Sequence, residues 1–170
     1  MDRLFTPWRL SYVTQAGTPS SGCIFCEALA RLDADPLVVH RGHRAYVILN
    51  KFPYNNGHLM VVPHRHLARL SDLDAGELVE VMTLAQGAER ALTEVYRPHG
   101  FNLGLNIGQP AGAGVIDHLH LHIVPRWNGD TSFMTVFGDT RVLPEELATT
   151  AARVGAALAP ILDPAGAHRR

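Results

Sequence analysis

Three histidines stand at alternate positions in the run Asp117-His118-Leu119-His120-Leu121-His122-Ile123-Val124-Pro125. Near neutral pH an imidazole is largely unprotonated, so each ring can serve as a nucleophile, as an acid or base, or as a metal ligand. On a strand, alternate side chains face opposite ways, so the histidines share one face and Leu119, Leu121 and Ile123 fill the other. Successive histidines would then stand roughly 7 Å apart and the three would cover about 13 Å, the scale of an extended polyphosphate. A single inward histidine is usually a satisfied core residue, but three on one face cannot all be held charged, which favours a functional site.

The chain holds ten histidines in 170 residues, and His58, His64, His66 and His99 add to the three above. Its two cysteines, Cys23 and Cys26, cannot build a disulfide framework. Their C-x-x-C spacing belongs to metal binding or redox chemistry, with two inert buried thiols as the plain alternative. No thioredoxin-like βαβ pattern surrounds the pair, which counts against redox. With two distant histidines such a knuckle has the four ligands of a closed tetrahedral zinc site.

Positioning these groups requires a sheet. Short β-rich runs at 37–40, 44–50 and 58–63 read as a meander around the Arg41-Gly42-His43 turn. A short helix at 27–32 follows the knuckle. The best helix spans 71–97, where Asp74 and Glu77 have capping-box spacing and Leu78, Val81, Met82, Ala85, Leu92, Val95 and Tyr96 recur at helical intervals. Val79 and Ala91 form a second apolar flank on it. Strands at 101–107 and 115–124 can pair as a hairpin about the glycine-rich turn 108–114. Asn128-Gly129-Asp130 marks a turn, and Pro144, Glu145 and Glu146 open a final helix to about 159, with Leu147, Ala151, Val154 and Leu158 inward. The expected class is α+β, an antiparallel sheet of about five strands with one long helix, an N-terminal knuckle and a C-terminal helix.

Composition fits one soluble domain: 46% of residues are hydrophobic and the formal net charge is -1. No basic stripe argues for nucleic acid, and the interrupted apolar runs give no membrane span. The first 17 residues lack the apolar core of a secretion signal, so the expected location is the cytoplasm. Residues 1–22 read as an arm in which Trp8 covers the core edge, and 166–170 as a loose tail.

The pattern His-φ-His-φ-His-φ-φ resembles the signature of the histidine-triad (HIT) superfamily of nucleotidyl hydrolases and transferases. Upstream, Asn50 followed by Gly57-His58-Leu-Met-Val-Val-Pro63 and His66 is similar to the family's segment before its long helix, and Asn106 precedes a similar glycine-rich loop. The likeness covers roughly 23–127, so the chain reads as a single HIT domain over 1–170, with 1–22 as its arm and 128–170 as a C-terminal extension. Pro125-Arg126-Trp127, with Gly129-Asp130-Thr131 and Phe133-Met134, resembles the branch of Fhit-type dinucleoside polyphosphate hydrolases and diadenosine tetraphosphate phosphorylases.

The resemblance implies that His120 attacks the α-phosphorus of a substrate carrying an AMP moiety and forms a nucleotidyl-histidine. His118 would orient and polarise His120, while His122 and His58 hold phosphate oxygens and help the leaving group. Asn50 and Asn106 would bind ribose and phosphate, although a lone asparagine is commonly a turn former. The Gly112 to Val115 loop would offer backbone N–H groups to phosphate, with a plain hairpin turn as the alternative for Gly112 and Gly114. Where many family hydrolases carry Gly-Gln-Ser/Thr, this chain has Ala113, Gly114 and Val115, which keeps phosphorolysis open beside hydrolysis. Trp127 would stack on a base, in the partner's site, or serve as a core or dimer contact. Several bacterial members resemble the metal pattern too, which assigns Cys23, Cys26, His66 and His118 to structural zinc. No organic cofactor is implied, and a homodimer is. Two rival classes stay open: a non-catalytic nucleotide-binding sensor, and a metallohydrolase whose triad holds a catalytic metal.

Overall fold

The computed structural model describes residues 22–130 and 144–163. Trp8 and the arm 1–21, the motif residues Thr131, Phe133 and Met134, and the tail 166–170 lie outside the described residues. Five strands form one antiparallel sheet: β1 (Val38–Arg41), β2 (Ala45–Leu49), β3 (Leu59–Pro63), β4 (Gly100–Leu105) and β5 (Leu121–Arg126), in the order β1-β2-β3-β5-β4. Among the described residues three α-helices complete it: α1 (Ile24–Ala30), α2 (Ala75–Tyr96) and α3 (Leu147–Leu162). Among the described residues no helix is long and apolar enough to cross a membrane.

Every residue of β2 and β3 is buried, because both faces of the sheet are covered. On one face Val47, Leu49, Leu59, Val61, Leu121 and Ile123 meet Val81, Leu84, Ala88 and Leu92 of α2 and Val154 and Leu158 of α3. On the other, Tyr46, Ile48, Met60 and Val62 meet Phe25 and Ala28 of α1 and, beyond it, Leu32. Register decides where the histidines go. Met60 pairs with His122, so His122 shares the α1 face, opposite the long helix.

The histidine strand begins later than periodicity predicts: β5 starts at Leu121, and 115–120 approach it without regular pairing. The cause lies in β3. Continuing the pairing of Val61 with Leu121 would set Pro63 against Leu119, and a proline has no N–H to give the ladder. Leu119 instead donates its N–H to the Leu67 carbonyl at 2.6 Å. The strands β4 and β5 do pair, from Gly100 with Arg126 to Leu105 with Leu121.

Asp74 caps α2 as expected, with Glu77 closing a reciprocal capping box. One expectation for this helix fails. Ala91 is fully buried rather than flanking, whereas Leu78, Val79 and Met82 are 42%, 66% and 48% exposed. The helix presents its inward stripe through small residues, Ala85, Ala88 and Ala91, because they let it lie close on the sheet. Its larger side chains Leu78 and Met82 instead line a shallow groove with Leu70, Leu105 and Leu119.

Candidate active site and metal centre

His118, His120 and His122 are all buried. The rings of His120 and His122 lie 4.8 Å apart, edge to face, closer than the rise of a regular strand would bring them. A carbonyl oxygen only accepts, so the 2.8 Å contact between His120 Nδ1 and the His118 carbonyl fixes Nδ1–H as donor and leaves Nε2 as the lone-pair nitrogen. The same reasoning applies to His118, whose Nε2–H donates to the Pro63 carbonyl at 2.9 Å. Its Nδ1 lone pair then faces the cysteines. Burial lowers the pKa of His118, His120 and His122, the last to about 4, so the rings favour their neutral forms.

His58 lies behind His122. It is fully buried, with its Nε2 2.9 Å from Nδ1 of His122. Its Nδ1 receives the Tyr54 backbone N–H at 3.0 Å, and the Asn50 amide nitrogen lies 3.4 Å away. Asn50 also forms the local turn, since its side-chain oxygen accepts the Phe52 N–H at 2.9 Å. Asn106 follows the last residue of β4, Leu105, which pairs with Leu121, the residue next to His120. In the glycine loop, Gly112 has φ 86, which favours a residue without Cβ. The Gly112 and Ala113 N–H groups close the loop on Gln109 and Gly108. Among the described residues, the N–H groups of Gly114 and Val115 have no partner and stay available. Trp127 is half-buried beyond the far end of β5, about 20 Å along the strand direction from His120.

Cys23 caps α1 and Cys26 lies in its first turn, so the knuckle is the start of that helix rather than a lead into one at 27–32. The ligand atoms of Cys23, Cys26, His66 and His118 all lie within 4.8 Å of one another. Sγ of Cys23 stands 3.3 Å, and that of Cys26 3.6 Å, from Nδ1 of His118, and Cys26 Sγ is 3.3 Å from Nδ1 of His66. Tetrahedral zinc bonds of ordinary length give sulfur-to-nitrogen edges of about 3.6 Å. The donor set therefore fits zinc, and His118 already presents the required lone pair.

Several residues of the site were not singled out by sequence reasoning. Phe25, inside the knuckle, packs its ring 4.9 Å from His120 and 5.5 Å from His118. Tyr54 stacks on His122 at 5.7 Å; its place four residues before His58 was the one available signal. Asp130 ties the end of β5 to the loop before β3: it accepts from Arg126, from the Trp127 N–H at 3.1 Å and from the Asn55 amide at 2.9 Å. No local pattern reveals a contact between residues 75 positions apart.

The HIT domain model matches residues 31–129. The AP-4-A phosphorylase of Mycobacterium tuberculosis is 45% identical over 157 residues, covering 88% of this chain and 80% of that protein. The asymmetrical bis(5'-nucleosyl)-tetraphosphatase of Schizosaccharomyces pombe is 32% identical over 95 residues, 56% of this chain and 52% of that protein. Among solved structures, a Zn-bound histidine triad family protein from Mycobacterium smegmatis superposes with a TM-score of 0.67 at 32% identity, covering 86% of this chain and 99% of that one. The expected α+β sheet with its long helix, knuckle and C-terminal helix is the architecture observed, and with these matches the chain belongs to the HIT family.

Proposed function

We propose that this HIT enzyme cleaves dinucleoside polyphosphates, diadenosine tetraphosphate among them, or nucleotide conjugates at the α-phosphorus through a nucleotidyl-histidine on His120. The observation that carries this reading is the fixed His120 ring, with Nδ1–H held by the His118 carbonyl and Nε2 left as the nucleophile. Attack by Nε2 forms the N–P bond as the bond to the bridging oxygen breaks, and the leaving nucleoside polyphosphate departs with those electrons. The imidazolium that results is stabilised where its N–H already meets a carbonyl. Water then returns AMP, or inorganic phosphate returns ADP, and His120 is regenerated. The printed activities of the two relatives support the substrate class.

Around the reacting phosphate, the buried and unpartnered Nε2 of His122 and the open N–H groups of Gly114 and Val115 are suited to phosphoryl oxygens. Asn50 and Asn106 serve ribose and phosphate. Phosphorolysis is the favoured form, because Ala113, Gly114 and Val115 put no polar side chain where an acceptor phosphate must enter, and the 45% identical relative is a phosphorylase. Incubation with diadenosine tetraphosphate, with and without inorganic phosphate, separates ADP plus ATP from AMP plus ATP. Tight nucleotide binding with neither product pair would reverse the assignment in favour of the sensor.

Cys23, Cys26, His66 and His118 would hold structural zinc, which when bound staples the knuckle to the triad and locks the His118 ring. With four protein ligands that site has no open position for catalysis, unlike the metallohydrolase alternative. The functional unit is a homodimer. The exposed Leu78, Val79 and Met82 and the unpaired edge of β4, with Leu103 45% exposed, are the surfaces that a second copy covers. At its distance from His120, Trp127 serves the partner's nucleoside. The cytoplasm is the expected location.

A further inference from the structure

Asp130 folds the chain tightly around Trp127. Its carboxylate accepts Nε–H and Nη2–H of Arg126 at 2.6 and 2.8 Å, the Trp127 N–H at 3.1 Å and the Asn55 amide at 2.9 Å. Its own N–H returns to the Trp127 carbonyl at 3.1 Å, and Gly129, with φ 76, lets that turn close. Just past the tryptophan, the Asn128 N–H reaches Nδ1 of His99 at 2.9 Å, while Arg126 Nη1 donates to Asn102 of β4 at 2.9 Å. The main chain is thus held at the N–H and the carbonyl of Trp127 and at the N–H that follows. A turn at a strand end is commonly closed by a single such bond. The Asp130 side chain is only 10% exposed, and its paired contact with Arg126 is of the strong, two-pronged kind. Among the described residues Trp127 belongs to neither apolar cluster of the core, so these bonds fix a large ring that core packing does not hold.

We propose that Asp130 is a positioning residue for nucleoside binding: it sets the direction in which Trp127 leaves the end of β5, so that the indole stands ready as a stacking platform for the base held by the second copy. The base rests on the assignment of Trp127 to the partner's nucleoside made above; the rigid mount does not. A ring that must first be ordered loses part of what stacking gains, so immobilising the turn beforehand raises affinity without adding a contact. Asp130 itself touches no substrate and acts through Trp127. Its bond to Asn55 runs elsewhere, to the loop that carries Tyr54 over His122 of the same chain. That bond is removed separately by Asn55→Ala.

Trp8 and Trp127 are the two tryptophans of the chain, so in a Trp8→Phe background Trp127 alone reports by indole fluorescence. The expected starting point is high anisotropy and quenching by AMP. Asp130→Ala should lower the anisotropy, weaken the quenching and raise KM for diadenosine tetraphosphate roughly tenfold, with kcat within about threefold, the pattern of lost ground-state binding. Asp130→Asn keeps one accepting oxygen and should restore part of the KM loss. Asn55→Ala should leave the anisotropy as it was. Should the Asp130→Ala protein fail to fold, Asp130→Asn carries the comparison, with the same changes at smaller size. A folded Asp130→Ala protein with wild-type anisotropy and KM overturns the proposal, as does a loss confined to kcat or an equal fall of anisotropy in Asn55→Ala. If the wild type cleaves dinucleoside tetraphosphate but AMP never quenches Trp127, the proposal falls alone. If it cleaves none while AMP quenches Trp127 and Asp130→Ala weakens that quenching, the proposal stands and the nucleotidyl-transfer reading falls.

Discussion

His120 and His122 sit in similar burial but carry different chemistry, because both rings are held at Nδ1 by different partners, a backbone carbonyl for His120 and the His58 ring for His122. Replacing His120 by alanine removes the proposed nucleophile and leaves the pocket; turnover of diadenosine tetraphosphate should fall by at least about 1,000-fold while nucleotide still binds, as calorimetry would measure. For His122 the prediction concerns pH. Its pKa is about 4 folded, against the ordinary 6.5, so the unfolded chain takes up the proton first as pH falls. The stability this ring contributes is whole above pH 6.5 and is lost as pH falls through about 4, on the order of 2–3 kcal/mol. Urea midpoints at pH 7 and 4.5 should therefore converge in His122→Gln relative to wild type. The residue types of this site were legible in the sequence, since alternate histidines and a C-x-x-C pair keep their meaning at fixed spacing. Ring orientation was not, because it depends on partners such as Pro63 and Tyr54 that only folding brings near.

Strands, the long helix and its capping box followed from period and turn residues, as at Asp74 and Glu77. What periodicity could not supply is the second use of Glu77, which also accepts from Arg65 through Nε and NH2, both at 2.6 Å. Arg65 beside it holds the Glu77 carboxyl down to about 2. Since Arg65 directly precedes His66, the helix start and the segment carrying this candidate metal ligand are one unit. Glu77→Ala breaks the cap and strands Arg65; it should cost about 2–4 kcal/mol in urea unfolding. At 20 °C the folded fraction should keep kcat within about threefold, because Glu77 lies on the helix side of the site. Ala91 shows the limit of counting apolar residues: a helical wheel places it on a flank, but the close approach of α2 to the sheet buries it.

For the molecule as a whole, β4 is the last strand of the sheet among the described residues, and Leu78 and Met82 of α2 line one groove together with Leu105. A charge placed there should prevent association without touching the triad. For the proposed homodimer, Met82→Glu is expected to convert a species of about twice the chain mass to monomer in light scattering, with Tm lowered. Loss of activity in that monomer, restored at high protein concentration, would fit a nucleoside site completed by Trp127 of the second copy. A homodimer was implied by family likeness; the sequence itself carried only a second apolar flank on the long helix, at Val79 and Ala91, of which Val79 is exposed and Ala91 buried.

Pro63 does more than end a strand. By refusing the next rung of the ladder, it leaves His118 and His120 outside regular pairing and offers its carbonyl to His118. Pro63→Ala would let β3 and β5 zip two residues further and draw His120 into a regular pleat, away from the 4.8 Å contact with His122. The variant should melt higher and turn over more slowly, a trade of catalytic geometry for stability. Calorimetric Tm read beside kcat would reveal it, and an equally active, more stable variant would refute it.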